Sequence, residues 1–260
     1  MCVVLCVVVV RGVTQLHDVV CVVCSGSSVI FRFNATTCQR LTDIHVKGLA
    51  EPWDIVACEQ TSQLYVVDWE KSVWRVSTKS ADIKRWRPKS SSYKFRPTSA
   101  SVTLTRLLVT SRVTRQLIQL NSLGDELRRV QLPDHMKPYH AVESPTTTFI
   151  VSHENTQLNQ WQISEVNTDG QVLRQFTGSR LSLFGWTRHV AIDSHGNVFV
   201  ADHDGGRILL LDAQLKLRRV IIDKHQLSYK RPRRLCYRES TGQLLVGLYN
   251  KVVVFDVLRR

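Results

Sequence analysis

Two histidines and an aspartate are the residues of this 260-residue chain whose types suit chemistry at a shared site. Asp54, His140 and His189 hold equivalent positions near the start of three apolar segments, and Ser99 and Arg234 hold that position in two others. Carboxylate and neutral imidazole are ligands that zinc and similar ions prefer, so convergence of these side chains would create a candidate metal centre. Arg234 places a permanent cation in the same set, and no third histidine is assured. We therefore predict no metal, no cofactor and no catalytic residue.

A second group of residues suits contact with a polyanion. Segment 84–96, KRWRPKSSSYKFR, has six basic residues and no acid, and segment 224–234, KHQLSYKRPRR, adds five basic residues. Basic side chains meet phosphates, while interleaved aromatic rings can stack on the bases of a single strand. An alternative for the aromatic rings is that they cover the edges of sheets. The candidate contact residues are Arg85, Trp86, Arg87, Lys89, Tyr93, Lys94, Arg96, Arg112, Arg115, Lys230, Arg231, Arg233 and Arg234.

The overall charge agrees with an acidic partner. Lys and Arg number 35 against 22 Asp and Glu, which gives a formal net charge of +13. Such a balance favours nucleic acid, an anionic surface or an acidic protein, and says nothing about fold. The sequence contains no phosphate-binding P-loop, no nucleophile elbow and no His-Glu-x-x-His segment. A non-enzymatic binding function is therefore favoured.

The elements that must position these residues are short strands. Runs of Val, Ile, Leu and Phe, four to six residues long and bounded by Gly, Asp, Asn and Ser, are typical of strands joined by tight turns. One such run recurs six times at steps of 41 to 50 residues, and its copies are CVVC, LYVVD, LLVTS, FIVS, VFVAD and LLVGL. Further apolar runs precede and follow most copies, so each unit contains about four strands.

Six units of this length and composition predict an all-β fold, a six-bladed β-propeller of four-stranded antiparallel blades. We expect a single propeller domain over residues 1–260, with blade cores near 13–46, 52–87, 97–132, 138–177, 187–222 and 232–260. The last unit lacks its outer strand. The apolar N-terminal residues 1–10 are expected to complete that sheet, or to supply the inner strand of the first unit, and so to close the ring.

One unit resembles a known repeat. HVAIDSHGNVFVADHDGGRILLLD is similar to an NHL repeat, in which an apolar strand is followed by Gly-Asn, Phe-Val-Ala-Asp and then Gly-x-Arg-Ile. The resemblance implies that Asp202 and Arg207 link adjacent strands of a blade. Asp68 keeps the aspartate of this link in its own unit, whereas Ser111 and Ser152 stand in its place in two others. It also implies a ring used for binding RNA or protein, as in tripartite-motif NHL proteins. A few NHL-like rings are enzymes, among them a peptide-amidating lyase with metal in its central channel.

Strand order in a propeller predicts two functional regions. Asp54, Ser99, His140, His189 and Arg234 should line the mouth of the central channel, with Gln15 or His17 as the member from the first unit. The loops before the inner strands share one end of the ring, here named the top face, with the loops joining second and third strands. The basic segments lie in these loops. We expect single-stranded RNA to bind the top face, with an acidic protein partner as the alternative. A third hypothesis is a metal-dependent lyase or hydrolase that uses the channel.

The remaining expectations concern turns, cysteines and location. His195 and His203 are placed in turns, where Asp193 and Asp202 hold turn amides and Arg207. The seven cysteines are interpreted as buried free thiols, which favours a cytoplasmic location over secretion. CVVC has redox or zinc spacing, but alternation along a strand sends its two thiols to opposite faces. No membrane span is expected, and the domain is expected to be monomeric or part of a larger protein.

Overall fold

Antiparallel β-sheet makes up the regular structure of the chain. The computed structural model describes residues 3–5, 9–69, 72–80, 82–86, 96–176 and 187–257, with the side chains of 3–5 and 187–188 outside the description. Within these ranges, 24 strands form six four-stranded sheets. The predicted all-β propeller with six blades is confirmed. No helix in the described ranges is long and apolar enough to cross a membrane.

Each blade runs from an inner strand to an outer one. Blade 1 contains β2 (Val10–Leu16), β3 (Val19–Cys24), β4 (Val29–Asn34) and β5 (Ile44–His45). Blade 2 contains β6 (Pro52–Cys58), β7 (Gln63–Asp68), β8 (Ser72–Ser77) and β9 (Ile83–Trp86). Blade 3 contains β10 (Pro97–Thr103), β11 (Arg106–Ser111), β12 (Gln116–Leu120) and β13 (Glu126–Gln131).

The second half of the ring repeats the plan. Blade 4 contains β14 (Met136–Glu143), β15 (Phe149–Asn155), β16 (Gln160–Val166) and β17 (Val172–Phe176). Blade 5 contains β18 (Thr187–Ile192), β19 (Val198–Asp202), β20 (Arg207–Leu211) and β21 (Leu217–Ile222). Blade 6 contains β22 (Arg234–Arg238), β23 (Gln243–Gly247) and β24 (Lys251–Asp256), with β1 (Val3–Leu5) as its outer strand.

The inner strands form a closed circle. Each of β2, β6, β10, β14 and β18 contacts the next inner strand, and β22 returns to β2. The core lies between blades: Val23 of blade 1 packs in one cluster with Ile55 and Val66 of blade 2. Both faces of the middle strands are buried against neighbouring sheets, which explains their continuous apolar runs.

The N-terminal strand closes the ring. β1 pairs antiparallel with β24, with Val3 opposite Val253 and Leu5 opposite Lys251. Completion of the last sheet, the first of the two expected roles, is therefore the one observed. The inner strand of blade 1 is a separate strand that begins at Val10.

The predicted strand-linking aspartate is confirmed in blade 5. Arg207 Nε donates to Asp202 Oδ2 at 2.7 Å, and the two residues are opposite each other on β19 and β20. Asp68 holds the same place in blade 2 and accepts from Trp74 Nε1 at 3.1 Å. His195 lies in an exposed turn, where its backbone N–H donates to Asp193 Oδ1. His203 also lies in a turn, but it is buried beside Asp204.

The cysteine prediction is wrong at one position. Cys38 is disulfide-bonded, whereas the buried Cys21, Cys24 and Cys58 and the half-buried Cys236 are not in disulfides. Cys38 lies in the half-buried loop after β4 with a φ of 60°, not inside a strand. Partners in space cannot be read from spacing along the chain. The expectation of a cytoplasmic location assumed that all seven cysteines are free, so the disulfide at Cys38 weakens that argument.

Candidate functional site

A β-bulge lies at the same place in five inner strands. The register shifts between Val10 and Gly12 in blade 1 and between Pro52 and Asp54 in blade 2, with equivalent shifts in β10, β14 and β18. A bulge inserts one residue and redirects the side chain that follows it. The structure brings together on the axis the five predicted column residues, which are Asp54, Ser99, His140, His189 and Arg234.

These five residues are here named the axial column, and four of them join a blade to the next one, from blade 2 to blade 6. Asp54 Oδ2 accepts from Ala100 N of blade 3 at 3.1 Å, and Ser99 Oγ donates to Tyr139 O of blade 4 at 2.8 Å. The series continues in blades 4 and 5, where His140 Nδ1 accepts from Val190 N and His189 Nδ1 accepts from Leu235 N, both at 3.4 Å. The axial column therefore acts as a belt of inter-blade hydrogen bonds.

The two histidines of the axial column are neutral. Each Nδ1 accepts a backbone N–H, so each Nε2 carries the proton. His140 Nε2 donates to Ala100 O at 3.1 Å, and the two rings stack with centroids 3.5 Å apart. Burial, followed by the neighbouring His189, holds the pKa of His140 well below its usual value. Burial, followed by Arg234, does the same to the pKa of His189.

Arg234 and Asp54 form the charged part of the axial column. Arg234 Nε lies 3.5 Å from Asp54 Oδ1, and Arg234 Nη2 donates to Trp53 O at 2.8 Å. Burial raises the pKa of Asp54, while Arg234 opposes that rise most strongly. Burial also lowers the pKa of Arg234, which Asp54 opposes. All five residues of the axial column are buried, and two of them, His140 and His189, border the central cavity.

The member from blade 1 is Gly12, not Gln15 or His17. Gly12 follows the bulge of β2 as Asp54 follows that of β6. Gln15 lies further along β2, against the channel cavity, and His17 lies in the turn after that strand. A Cβ on Gly12 would lie 2.6 Å from Ile55 N and 3.0 Å from Asp54 C. Blade 1 therefore approaches blade 2 too closely for a side chain, and the Arg234 guanidinium reaches across to blade 2 instead.

Gly12→Ala is expected to destabilise the fold by about 1–3 kcal/mol, the usual cost of overpacking a filled interior. The neighbour that the new methyl would meet is backbone, which cannot rotate away. Urea unfolding followed by circular dichroism measures the change. An unaltered midpoint would show that blades 1 and 2 separate freely at this level.

The axial column does not suit a metal ion. Asp54, His140 and His189 place potential ligand atoms within 4.8 Å of one another. Both nitrogens of His140 are nevertheless engaged with backbone groups, and His189 offers only Nε2. A cation would also be added beside Arg234. Binding a metal would require these inter-blade bonds to break, so we keep the prediction of no metal.

A central cavity of about 370 Å³ lies next to the axial column, on the side away from the top face. His140 and His189 border it together with the later parts of the inner strands, among them Ala100–Thr103. Glu59 and Glu239 line it as well, and each directly follows the last residue of an inner strand, β6 or β22. The cavity therefore belongs to the end of the ring opposite the top face.

The predicted basic residues fall into two groups in the structure. The first group is engaged: Arg112 Nη2 is 2.8 Å from Glu154, Arg115 is 3.8 Å from Asp134, and Arg231 is 3.2 Å from Asp204. Arg85 donates to Ser72 Oγ and stacks over Trp74. Arg234 is buried on the axis. Arg87, Lys89, Tyr93 and Lys94 lie outside the described residues.

Trp86 has a packing role between blades. The ring is half-buried, with its centroid 5.5 Å from that of Tyr65. A Cβ on Gly124 of blade 3 would lie 3.0 Å from the same ring. This placement favours the edge-covering alternative over base stacking for Trp86.

The second group of basic residues has no acidic partner among the described residues. It contains Arg96, Lys230 and Arg233. Arg96 lies 5.9 Å from the ring of Trp69, and Arg233 lies 5.2 Å from the ring of Tyr249. Trp69 is 38% exposed and Tyr249 is 53% exposed. These two arginine–aromatic pairs flank blade 1 on the top face.

Sequence reasoning missed four residues of this region: Arg11, Trp53, Trp69 and Tyr249. Arg11 and Trp53 are the inserted bulge residues, and Arg11 stacks over Trp53 at 4.2 Å. Trp53 and Trp69 have ring centroids 4.7 Å apart. The repeat alignment contained a signal for them, because each bulge residue immediately precedes a column position. Trp69 immediately follows the second strand of blade 2, and Tyr249 lies two residues after the end of the second strand of blade 6.

Comparisons with known proteins show the fold alone. No family model and no curated protein matches the chain. Among solved structures, the WD40 propeller domain of Doa1 aligns with a TM-score of 0.68 at 16% identity, over 96% of this chain and 93% of that one. The Cps50 (Swd1) propeller domain of Myceliophteria thermophila aligns with a TM-score of 0.64 at 10% identity, over 95% and 84%. A catalytically inactive virginiamycin B lyase from Staphylococcus aureus aligns with a TM-score of 0.69 at 11% identity, over 94% and 78%. The chain thus has the six-bladed β-propeller fold, and its likeness to NHL repeats remains one of sequence motif.

Proposed function

We propose that this chain is a non-enzymatic interaction scaffold that binds single-stranded RNA on its top face. The observation that carries the proposal is the pair of exposed aromatic rings, Trp69 and Tyr249, each with an arginine that no described acid neutralises. A base can stack on such a ring while the adjacent guanidinium meets a phosphate. Lys230 adds an exposed cation nearby in sequence to Arg233.

The proposal predicts a steep dependence of RNA affinity on salt. The logarithm of the binding constant should fall with the logarithm of salt concentration by about 0.7 per phosphate contacted. Fluorescence anisotropy with a labelled single-stranded oligonucleotide measures this slope. Trp69→Ala and Tyr249→Ala should each weaken binding by about 1–3 kcal/mol if a base stacks there.

A charge-matched pair of variants controls for non-specific attraction. Arg96→Glu with Arg233→Glu changes the net charge as much as Arg128→Glu with Lys216→Glu, whose exposed side chains lie on β13 and in a turn of blade 5. Only the first pair should abolish binding. Equal losses of RNA affinity in both variant pairs would mean that binding follows overall charge. Equal RNA affinity of both variant pairs and the parent would show that the top face is not the binding site.

An acidic protein partner is the second candidate, favoured by the mixture of charges on this face. Glu154, Asp134 and Asp204 each pair with an arginine there. Alternating charges can be matched by a complementary protein surface, whereas a nucleic acid backbone presents one sign. Absence of RNA binding, together with capture of an acidic protein segment that the first variant pair abolishes, would favour this candidate.

A further inference from the structure

Three guanidinium groups meet at the top end of the axis. Arg11 is the bulge residue of β2, Arg233 immediately precedes β22, and Arg234 is the first residue of β22. We name them the axial arginine cluster. Burial is the main cause that lowers the pKa of Arg233, and repulsion by Arg11 adds to it. Arg11 lies 4.2 Å over the Trp53 ring and Arg234 Nη2 donates to Trp53 O at 2.8 Å, so both groups meet at Trp53, and Arg233 directly precedes Arg234. Repulsion by Arg11 and Arg233 accordingly lowers the pKa of Arg234 further, after burial.

Two carboxylates offset these three cations. Asp54 lies 3.5 Å from Arg234, and Glu51 lies 3.8 Å from Arg11. Glu51 is also occupied by Ser25 Oγ at 2.8 Å and Gly26 N at 3.2 Å. Arg233 has no acidic partner among the described residues, and its guanidinium lies 5.2 Å from the Tyr249 ring. One positive charge is therefore left over in a half-buried setting, where screening by solvent is reduced.

An unused hydrogen-bond donor points to the same conclusion. The Nε atom of Arg11 is buried and has no hydrogen-bond acceptor among the described residues, whereas the Nε atom of Arg234 faces Asp54 Oδ1 at 3.5 Å. A buried donor without an acceptor costs free energy, which an incoming oxyanion would recover. The rings of Trp53 and Tyr249 stack under Arg11 and Arg233 and hold their guanidinium planes in place before any ligand arrives.

We propose that the axial arginine cluster binds one phosphate group, with Arg11 and Arg233 as its principal ligands and Arg234 supporting from below. A tetrahedral phosphate presents acceptor oxygens in several directions, which suits donors that approach from different blades. The inference rests on the proposed function for the source of that phosphate, the RNA backbone, but the chemistry of the site does not require RNA. Free phosphate would satisfy the same donors.

The test uses the full chain and inorganic phosphate. Thermal unfolding is followed against phosphate concentration, with sodium chloride at equal ionic strength as the reference, because a ligand bound only by the native state raises Tm by mass action. A saturable rise in Tm is expected with phosphate alone. Arg233→Gln should weaken phosphate binding about tenfold or more, since a charge-assisted hydrogen bond is lost.

Arg112→Gln is the matched control. Arg112 also stacks on an aromatic ring of the top face, Tyr139, but Glu154 neutralises it at 2.8 Å. The phosphate response of Arg112→Gln should equal that of the parent. Absence of a saturable response in the parent, an undiminished response in Arg233→Gln, or equal losses in both variants would overturn the site. Arg233 makes no described side-chain hydrogen bond, so Arg233→Gln is expected to fold.

An RNA arm identifies the source of the phosphate. Competition between inorganic phosphate and a single-stranded oligonucleotide, lost in Arg233→Gln, supports the site and assigns it to the RNA backbone. Phosphate binding without any RNA binding supports the site and contradicts the proposed function. RNA binding that neither phosphate nor Arg233→Gln affects overturns the site while the proposed function stands.

Discussion

Arg234→Ala is expected to lower the free energy of unfolding by about 3–5 kcal/mol, the cost of removing one partner from a buried ion pair. Asp54 is 1% exposed, and Arg234 is the largest influence that favours its ionised form. Without Arg234, the carboxylate keeps the hydrogen bonds from the amides of Ile55 and Ala100, with the neutral His189 Nε2 at 3.7 Å, and has no cationic partner among the described residues. The bond to Trp53 O, which joins blade 6 to blade 2, is lost as well.

Urea unfolding of a short series of variants separates these contributions. Asp54→Asn combined with Arg234→Ala should be less destabilised than Arg234→Ala alone, because no unpaired charge remains buried. Arg231→Ala is the control from the same segment: its guanidinium is 61% exposed, so its ion pair with the half-buried Asp204 should contribute about 0–1 kcal/mol. Equal effects of Arg231→Ala and Arg234→Ala would mean that the axial pair is solvated and weak.

Removal of residues 2–8 is expected to cost several kcal/mol of a total stability of about 5–15 kcal/mol. Loss of β1 would leave β24 as an unpaired edge in blade 6, the sheet through which the two ends of the ring join. An open edge also invites pairing between molecules. Thermal unfolding and light scattering should show a lower Tm and self-association.

A synthetic peptide of residues 1–8 provides the control for this deletion. Added in excess, it should pair with the free edge of β24 and raise the Tm of the truncated chain. A peptide with proline in place of Val4, a residue paired with Val252, should not, because proline cannot donate to the ladder. An unchanged Tm after the deletion would show that the ring closes without β1.

Periodicity along the chain was sufficient to predict the blades. Continuous apolar runs reflect strands buried on both faces, and turn residues between them reflect reversals of direction, so both are visible without a structure. The Asp202–Arg207 link was likewise predictable, because its partners are directly opposite on adjacent strands. The convergence of Asp54, His140 and His189 followed from their shared position in the repeat.

Contacts between blades required the tertiary structure. Gly12 could not be recognised as the first member of the axial column, because the reason for a missing side chain is the backbone of another blade. The sequence leaves both base stacking and edge covering open for Trp86, and its packing against Tyr65 and Gly124 favours edge covering. The acids that pair with Arg112 and Arg231 could not be predicted either, because they lie far from their partners along the chain. Only Asp134 is near its partner, Arg115, in sequence.

The number of blades, the strand order and the ring position of each repeat depend on local composition and its period, so the amino-acid sequence was enough to predict them. The burial of polar groups, the neutralisation of charges and the availability of cations depend on side chains that lie far apart along the chain, so they became visible only in the folded molecule. Arg11 and Arg233 illustrate the difference. They are 222 residues apart in sequence, and closure of the ring places them together at one end of the axis.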